Sequence, residues 1–318
     1  MFLSMGRDGM PVDVRLPADA DVIVLQRVTN RFMAAAIPLM RAKGIAVVVD
    51  IDDDLAAINP NNPAFHALHP RNEGLPGANG QISHHSWAHL TTACRNATMV
   101  TVSAPALLHR YAPHGNGRVV HNMLPEFYYG HDHEDTDRIV WPAALMSHPD
   151  DPSAVGNAIA RLVNLDGAEF DVVSTSAGVG RAFGLSQDPP GIPAGVPVTE
   201  WPDAIRGVQP GIGIVPLADT LFNKSKSFLK GLEMAALGIP FVASESSPEY
   251  RHLHGLGAGV LAGNAKQWYR LLRDLRASQA AREDLAGRGR EVAEGLRMRD
   301  GAWRYLEIWE EALKLQRS

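Results

Sequence analysis

Two groups of residues in this sequence have types and spacings suited to chemistry. The first is Val47-Val-Val-Asp50-Ile51-Asp52-Asp53-Asp54-Leu55, with four carboxylates at the end of an apolar run. Acids so close together repel one another unless a cation or a basic ligand offsets them. Such a cluster suits three chemistries. Asp50 as nucleophile and Asp52 as general acid would serve a phosphatase. Asp50, Asp52 and Asp54 could hold a divalent metal. Asp52 and Asp53 could orient or deprotonate an acceptor hydroxyl. The plain alternative is a solvated acidic turn that caps the segment from Leu55 to Ile58.

The second group lies between Ile214 and Tyr250, in IVPLADTLFNKSKSFLKGLEMAALGIPFVASESSPEY. A strand ending near Leu217, a polar loop and a helix over Lys226–Leu237 are expected, with Ser225 or Ser227 as cap. On that helix Lys226, Lys230 and Glu233 fall within about 60° of one another, opposite Phe228, Leu229, Leu232 and Ala236. Free helix N–H groups, a hydroxyl and lysines suit a diphosphate. A carboxylate two turns along suits the two hydroxyls of a ribose. A solvated pair between Lys230 and Glu233 is the competing reading.

The elements that must position these groups follow from hydrophobic patterning. Short β-branched runs alternate with helical patterns: Asp21–Leu25, Ile45–Val49 and Met99–Val102 read as strands, Phe32–Lys43 and His84–Ala97 as helices. The polar stretch Tyr128–Asp137 reads as a linker. Alternation then restarts with strands at Arg138–Trp141, Phe170–Ser174, Gly211–Val215 and Phe241–Ser244. The tail from Lys266 to Gln316 is helical, with Trp303, Ile308, Trp309 and Leu313 on an apolar stripe. Such alternation predicts doubly wound α/β sheets, whose ligands bind beyond the carboxyl ends of the strands.

Composition narrows the function. The 318 residues carry a net charge of −5, 45% hydrophobic and 20% charged residues, so neither a polyanion-binding surface nor a disordered chain is indicated. One cysteine, Cys94, builds neither a disulfide nor a zinc site by itself. No apolar run approaches a membrane span, and Arg7 and Asp8 near the start argue against a secretory leader; a soluble cytoplasmic protein without nucleic-acid partners is expected.

The second group also carries a resemblance. Glu233-Met-Ala-Ala-Leu-Gly-Ile-Pro240 resembles the Glu-Ala-Met-Ala-Ala-Gly-x-Pro segment of the retaining group-1 (GT4-like) glycosyltransferases, in which the Glu binds the donor's ribose. The stretch Pro216–Ser244 is similar to a subgroup of that family almost throughout. Trp141 and His148 resemble its strand exit, Asp50–Leu55 its acidic segment, Asn122 the strand exit at its domain junction, and Tyr250 extends the likeness. The resemblance covers most of residues 18–260, most strongly in the second half.

It implies a GT-B fold, two Rossmann-like domains facing each other across a cleft. The domains expected are an abbreviated acceptor-side domain over 1–130, a nucleotide-sugar domain over 131–295 and a helix over 296–318 crossing back. It implies a nucleotide-sugar donor, bound through Asn223, Lys226, Ser227, Lys230 and Glu233, with Asp52, Asp53 and His85 at the reacting centre. The acceptor would be a glycan, a protein or a small molecule, and no metal is required. Ser225 departs from the family, which has a second Glu there that contacts the donor sugar. A binding protein that kept the fold and lost turnover is the rival from another class. His131 and His133 read as solvated linker residues.

Overall fold

The computed structural model describes residues 2–5, 11–14, 19–62, 64–75, 85–131, 135–175, 177–193 and 195–318. Gly6, Gly9, His84 and His133 lie outside the described residues. The chain divides into two units, one formed by residues 1–121 with 302–318 and the other by 122–301.

In the first unit β1 (Phe2–Met5) and β2 (Pro11–Val14) form an antiparallel pair. The unit's parallel sheet runs in the order β3 (Val22–Gln26), β4 (Ala46–Ile51), β5 (Met99–Val102), β6 (Gly117–Val119). Val47, Val48 and Val49 of β4 are fully buried, as a strand covered on both faces requires. The helix Arg31–Ala42 covers the sheet with Ala34, Ile37 and Met40, and Asn30 caps it by accepting from the backbone N–H of Phe32 at 2.8 Å. The last helix, Trp303–Arg317, belongs to this unit: Ala312 packs on Ala46, Val48 and Met99, flanked by Ile308, Trp309 and Leu313. Trp303, expected on the same stripe, is half exposed.

The second unit holds six parallel strands: β7 (Ile139–Trp141), β8 (Phe170–Thr175), β9 (Gly191–Pro193), β10 (Ile212–Val215), β11 (Phe241–Ser244) and β12 (Val260–Ala262). Their spatial order is β12-β11-β10-β7-β8-β9. The chain winds outward from β7 through β8 to β9, then returns to place β10 on the other side of β7. The winding direction reverses between β7 and β10, the point where doubly wound sheets bind ligands. One core cluster, with Phe228, Leu232, Met234 and Phe241, and a second, with Trp141, Ile159, Trp268 and Leu272, bury the two faces.

Two local expectations fail. The helix expected from Lys226 is two helices, Leu221–Lys224 and Leu229–Ala236, broken across Ser225–Phe228. Thr220, not Ser225 or Ser227, is the cap, accepting from the N–H of Asn223 at 3.2 Å. The Ser225 hydroxyl donates back to the Leu221 carbonyl at 3.2 Å, and Phe228 precedes the second helix without a side-chain cap. The stretch expected as a linker from Tyr128 is anchored at its start, because Tyr128 and Tyr129 are 2% and 9% exposed in the second unit's core.

Candidate functional site

The second unit's site is built around Glu233, which the helix Leu229–Ala236 carries on the face expected from its spacing. The carboxylate is not part of a solvated pair: the residue is 4% exposed. Tyr128 Oη donates to Oε1 at 3.0 Å, while Lys230 Nζ at 2.9 Å and Trp201 Nε1 at 3.3 Å donate to Oε2. Lys230 Nζ also lies 4.6 Å from the centre of the Trp201 ring, a cation–π contact. Burial, then the charge of Glu233 and the bond to it, pushes the Tyr128 phenol well above its ordinary range, so it stays a donor. A carboxylate has about four lone-pair sites, so three donors leave one open. A second opens if Lys230 turns away, and its side chain, 29% exposed, has room to do so. Neither Trp201 nor Tyr128 is legible from spacing, since both come from segments remote from the helix.

The loop before that helix has a different construction from the expected one. Asn223 is buried, and its Nδ2 donates to Asp151 Oδ1 at 2.6 Å and to the Ala218 carbonyl at 3.0 Å. Its amide is therefore a strut, engaged in holding the loop. The Ser227 hydroxyl accepts from Asn122 Nδ2 at 2.8 Å, and Lys226 Nζ sits 4.5 Å from the centre of the Phe222 ring. Leu217 N–H donates to Ser244 Oγ at 2.8 Å, tying the ends of β10 and β11. A cavity of about 370 Å³ lined by Arg138, Glu169, Asp171 and Pro189 opens at the amino ends of β7 and β8. Its arginine is held by Asp171 at 2.6 Å and by Glu169.

In the first unit Asp50 lies near the carboxyl end of β4 and Asp52, Asp53 and Asp54 follow the strand, where arginines from two other segments meet them. Arg27, at the end of β3, grips Asp52 with Nη2 at 2.6 and 2.5 Å and Nε at 3.1 Å, and lies 3.8 Å from Asp53. Its backbone is left-handed, with φ of 45°, a conformation disfavoured for a residue with a Cβ. Arg110 pairs with the buried Asp54 at 3.0 Å, and Tyr111 Oη donates to the Asp53 carbonyl at 2.9 Å. These arginines are the cations that the acid cluster requires. Among the described residues no group of three or more His, Cys, Asp or Glu side chains is gathered so as to hold a metal ion. Asp50 faces Thr101, whose hydroxyl donates to it at 2.5 Å. His85 stands apart from Asp52 and Asp53 in its contacts: it precedes the helix Ser86–Asn96, is 62% exposed and pairs with Glu73 at 4.0 Å.

Burial holds the Asp50 carboxyl above the ordinary carboxylate range; the Thr101 hydroxyl opposes this and the Asp52 charge adds to it. A folded-state pKa above the unfolded one gives stability that is present at low pH and is lost as pH rises through the folded value. Asp50→Asn keeps the acceptor for Thr101 and cannot ionise. Its melting midpoint is expected to rise relative to the parent between about pH 4 and about pH 7.5. Thermal melts at the two pH values check this, and a constant difference would contradict it.

No family model and no curated protein matches the sequence. Solved structures do match. Sucrose-phosphate synthase from Thermosynechococcus elongatus superposes with a TM-score of 0.62 at 12% identity, over 92% of this chain and 73% of that one. HepE from Anabaena, solved with UDP and glucose, gives 0.60 at 12%, over 92% and 77%. TarM gives 0.60 at 11%, over 91% of this chain; the chain spans about half of TarM, 54%. Likeness over nine-tenths of the chain at such low identity is likeness of backbone: the chain has the GT-B fold of these glycosyltransferases.

Proposed function

We propose that the protein is a glycosyltransferase that moves a sugar from a nucleoside-diphosphate donor to an acceptor hydroxyl. The observation that carries this reading is the buried Glu233, braced by Tyr128 and Trp201 and neutralised by a lysine with room to move. Ribose hydroxyls would take the open positions on the carboxylate. Lys230 would follow the diphosphate, with Lys226 and Ser227 from the preceding loop, and stabilise charge on the leaving group. HepE, which shares the fold, has been solved with UDP-glucose, which supports a nucleotide-sugar donor. In the first unit Asp52 and Asp53, oriented by Arg27 and Tyr111, would bind and activate the acceptor, and His85 would contact the sugar. The resemblance of residues 233–240 to retaining enzymes supports retention, with the lysines rather than a metal meeting the diphosphate charge.

One feature favours a nucleotide-sugar-binding protein without turnover. Ser225, where the resembled family has its sugar-binding Glu, is 5% exposed and bonded into its own loop. Thermal shift across UDP, GDP, ADP and dTDP and their sugars tests the donor site, because a ligand of the native state raises the midpoint by mass action. One nucleoside diphosphate is expected to stabilise the protein, with the shift reduced in Lys226→Ala. No shift with any of them would overturn the reading. Slow hydrolysis of the matching nucleotide sugar separates a transferase from a pure binder.

A further inference from the structure

The cavity at the amino ends of β7 and β8 lies at the opposite end of the second sheet from the loop that carries Lys226 and Ser227. At about 370 Å³ it has the volume of a small-molecule pocket. Val163, Phe170, Leu185 and Pro189 supply an apolar part of the lining, and Arg138, Glu169, Asp171 and Asp188 a charged part. Asp171 interrupts the apolar run of β8 and is 3% exposed, where a carboxylate is costly unless it is paired. Arg138 Nη1 donates to its Oδ2 at 2.6 Å. Its Oδ1 makes no hydrogen bond among the described residues and is not sealed from the cavity. A brace between the starts of β7 and β8 accounts for Oδ2 alone.

The charges of the lining are also out of balance. Arg138 is its one cation among the described residues, and it meets both Asp171 and Glu169. Asp188 is a further acid, accepting from the N–H of Gly180 at 2.7 Å and of Gly178 at 3.1 Å. These bonds hold its carboxyl below the ordinary carboxylate range, with Arg181, outside the lining, contributing least. One guanidinium against three carboxylates leaves an excess of two negative charges beside apolar surface.

We propose that this cavity binds a small primary amine with an apolar body, its ammonium donating to Asp171 Oδ1. An ammonium donates from a single point and so matches one free oxygen, whereas a guanidinium is best met by two. Val163, Phe170 and Leu185 cover the hydrocarbon. The site is separate from the one around Glu233 and stands whether or not a nucleotide binds there.

Calorimetric titration of the full chain with phenethylamine and with hexylamine tests the site. Saturable binding is expected, weaker by at least about tenfold for phenethyl alcohol and hexanol, which keep the body and lose the charge. Asp171→Asn keeps the shape and an acceptor for Arg138, and is expected to weaken amine binding by a similar factor. Because that change also touches the Arg138 pair, Asn164→Arg is measured beside it. Asn164 is exposed where it lines the cavity, and an arginine there supplies the missing positive charge from the chain itself. Amine binding is expected to be lost in Asn164→Arg without a fall in the melting midpoint. Failure of both amines to bind, equal binding of the alcohols, or unchanged amine binding in Asn164→Arg overturns the proposal. Displacement of the amine by magnesium chloride at equal concentration overturns it too, leaving a plain cation site.

Discussion

Glu233→Ala is expected to weaken binding of the cognate nucleoside diphosphate by at least about a hundredfold. Each hydrogen bond from a ribose hydroxyl to a buried carboxylate is worth about 1.5–3 kcal/mol, and two are lost together. The same change leaves Tyr128 Oη and Trp201 Nε1 without the acceptor they share, at a stability cost of about 1–3 kcal/mol. Lys230 is 29% exposed and can turn to water, so its charge adds little to that cost. Glu233→Gln separates the two effects, because it keeps an oxygen for Tyr128 and nearly all of the volume while losing the charge. Calorimetric titration with the nucleotide, beside a thermal melt of each variant, reads both. Affinity retained in a folded Glu233→Ala protein would remove the ribose from this carboxylate.

Asp151→Ala is expected to be the most destabilising single change at the site. It deprives three donors of their acceptor at once: the Ala218 N–H, Asn223 Nδ2 and His148 Nδ1. Breaking a buried charged network costs about 3–5 kcal/mol, and for a unit of this size that lowers the melting midpoint by roughly 10 °C. Asn223→Ala, which removes one arm and frees a lone pair instead of stranding donors, is expected to cost about 1 kcal/mol. Equal midpoints for Asp151→Ala and Asn223→Ala would mean that the three contacts do not act as a network. Denaturant unfolding of both variants measures the difference directly.

Arg27 shows how the first unit solves a problem that its sequence poses. The run of acids at the end of β4 demands positive charge, and the cation that answers it is not beside it in the chain. It arrives from the end of β3, a neighbouring strand in the parallel sheet, where Asp50 O also accepts the Arg27 N–H at 2.9 Å. The left-handed backbone at Arg27 persists because that bond and the grip on Asp52 hold it in place. Arg110 meets Asp54 from the segment after β5 in the same way.

Local pattern determined much of this protein. Apolar runs of four to six residues bounded by Gly and Pro are enough to mark buried parallel strands, because such strands are covered on both faces and need no alternation. Spacing at the helical period put Lys230 and Glu233 on one face, since that depends only on the geometry of a single helix. Chain-distant partners were beyond its reach. That Glu233 is buried depends on Tyr128 and Trp201, 105 and 32 residues before it in the chain, closing over it. The break at Ser225–Phe228 follows from competition among hydroxyl and amide groups, with Thr220, Asp151 and Asn122 as partners. The reach of Asn223 to Asp151 exists because β10 returns beside β7 rather than beside β9. A parallel sheet fixes which strand ends lie together only when the order of strands is set, and that order is a property of the packed fold.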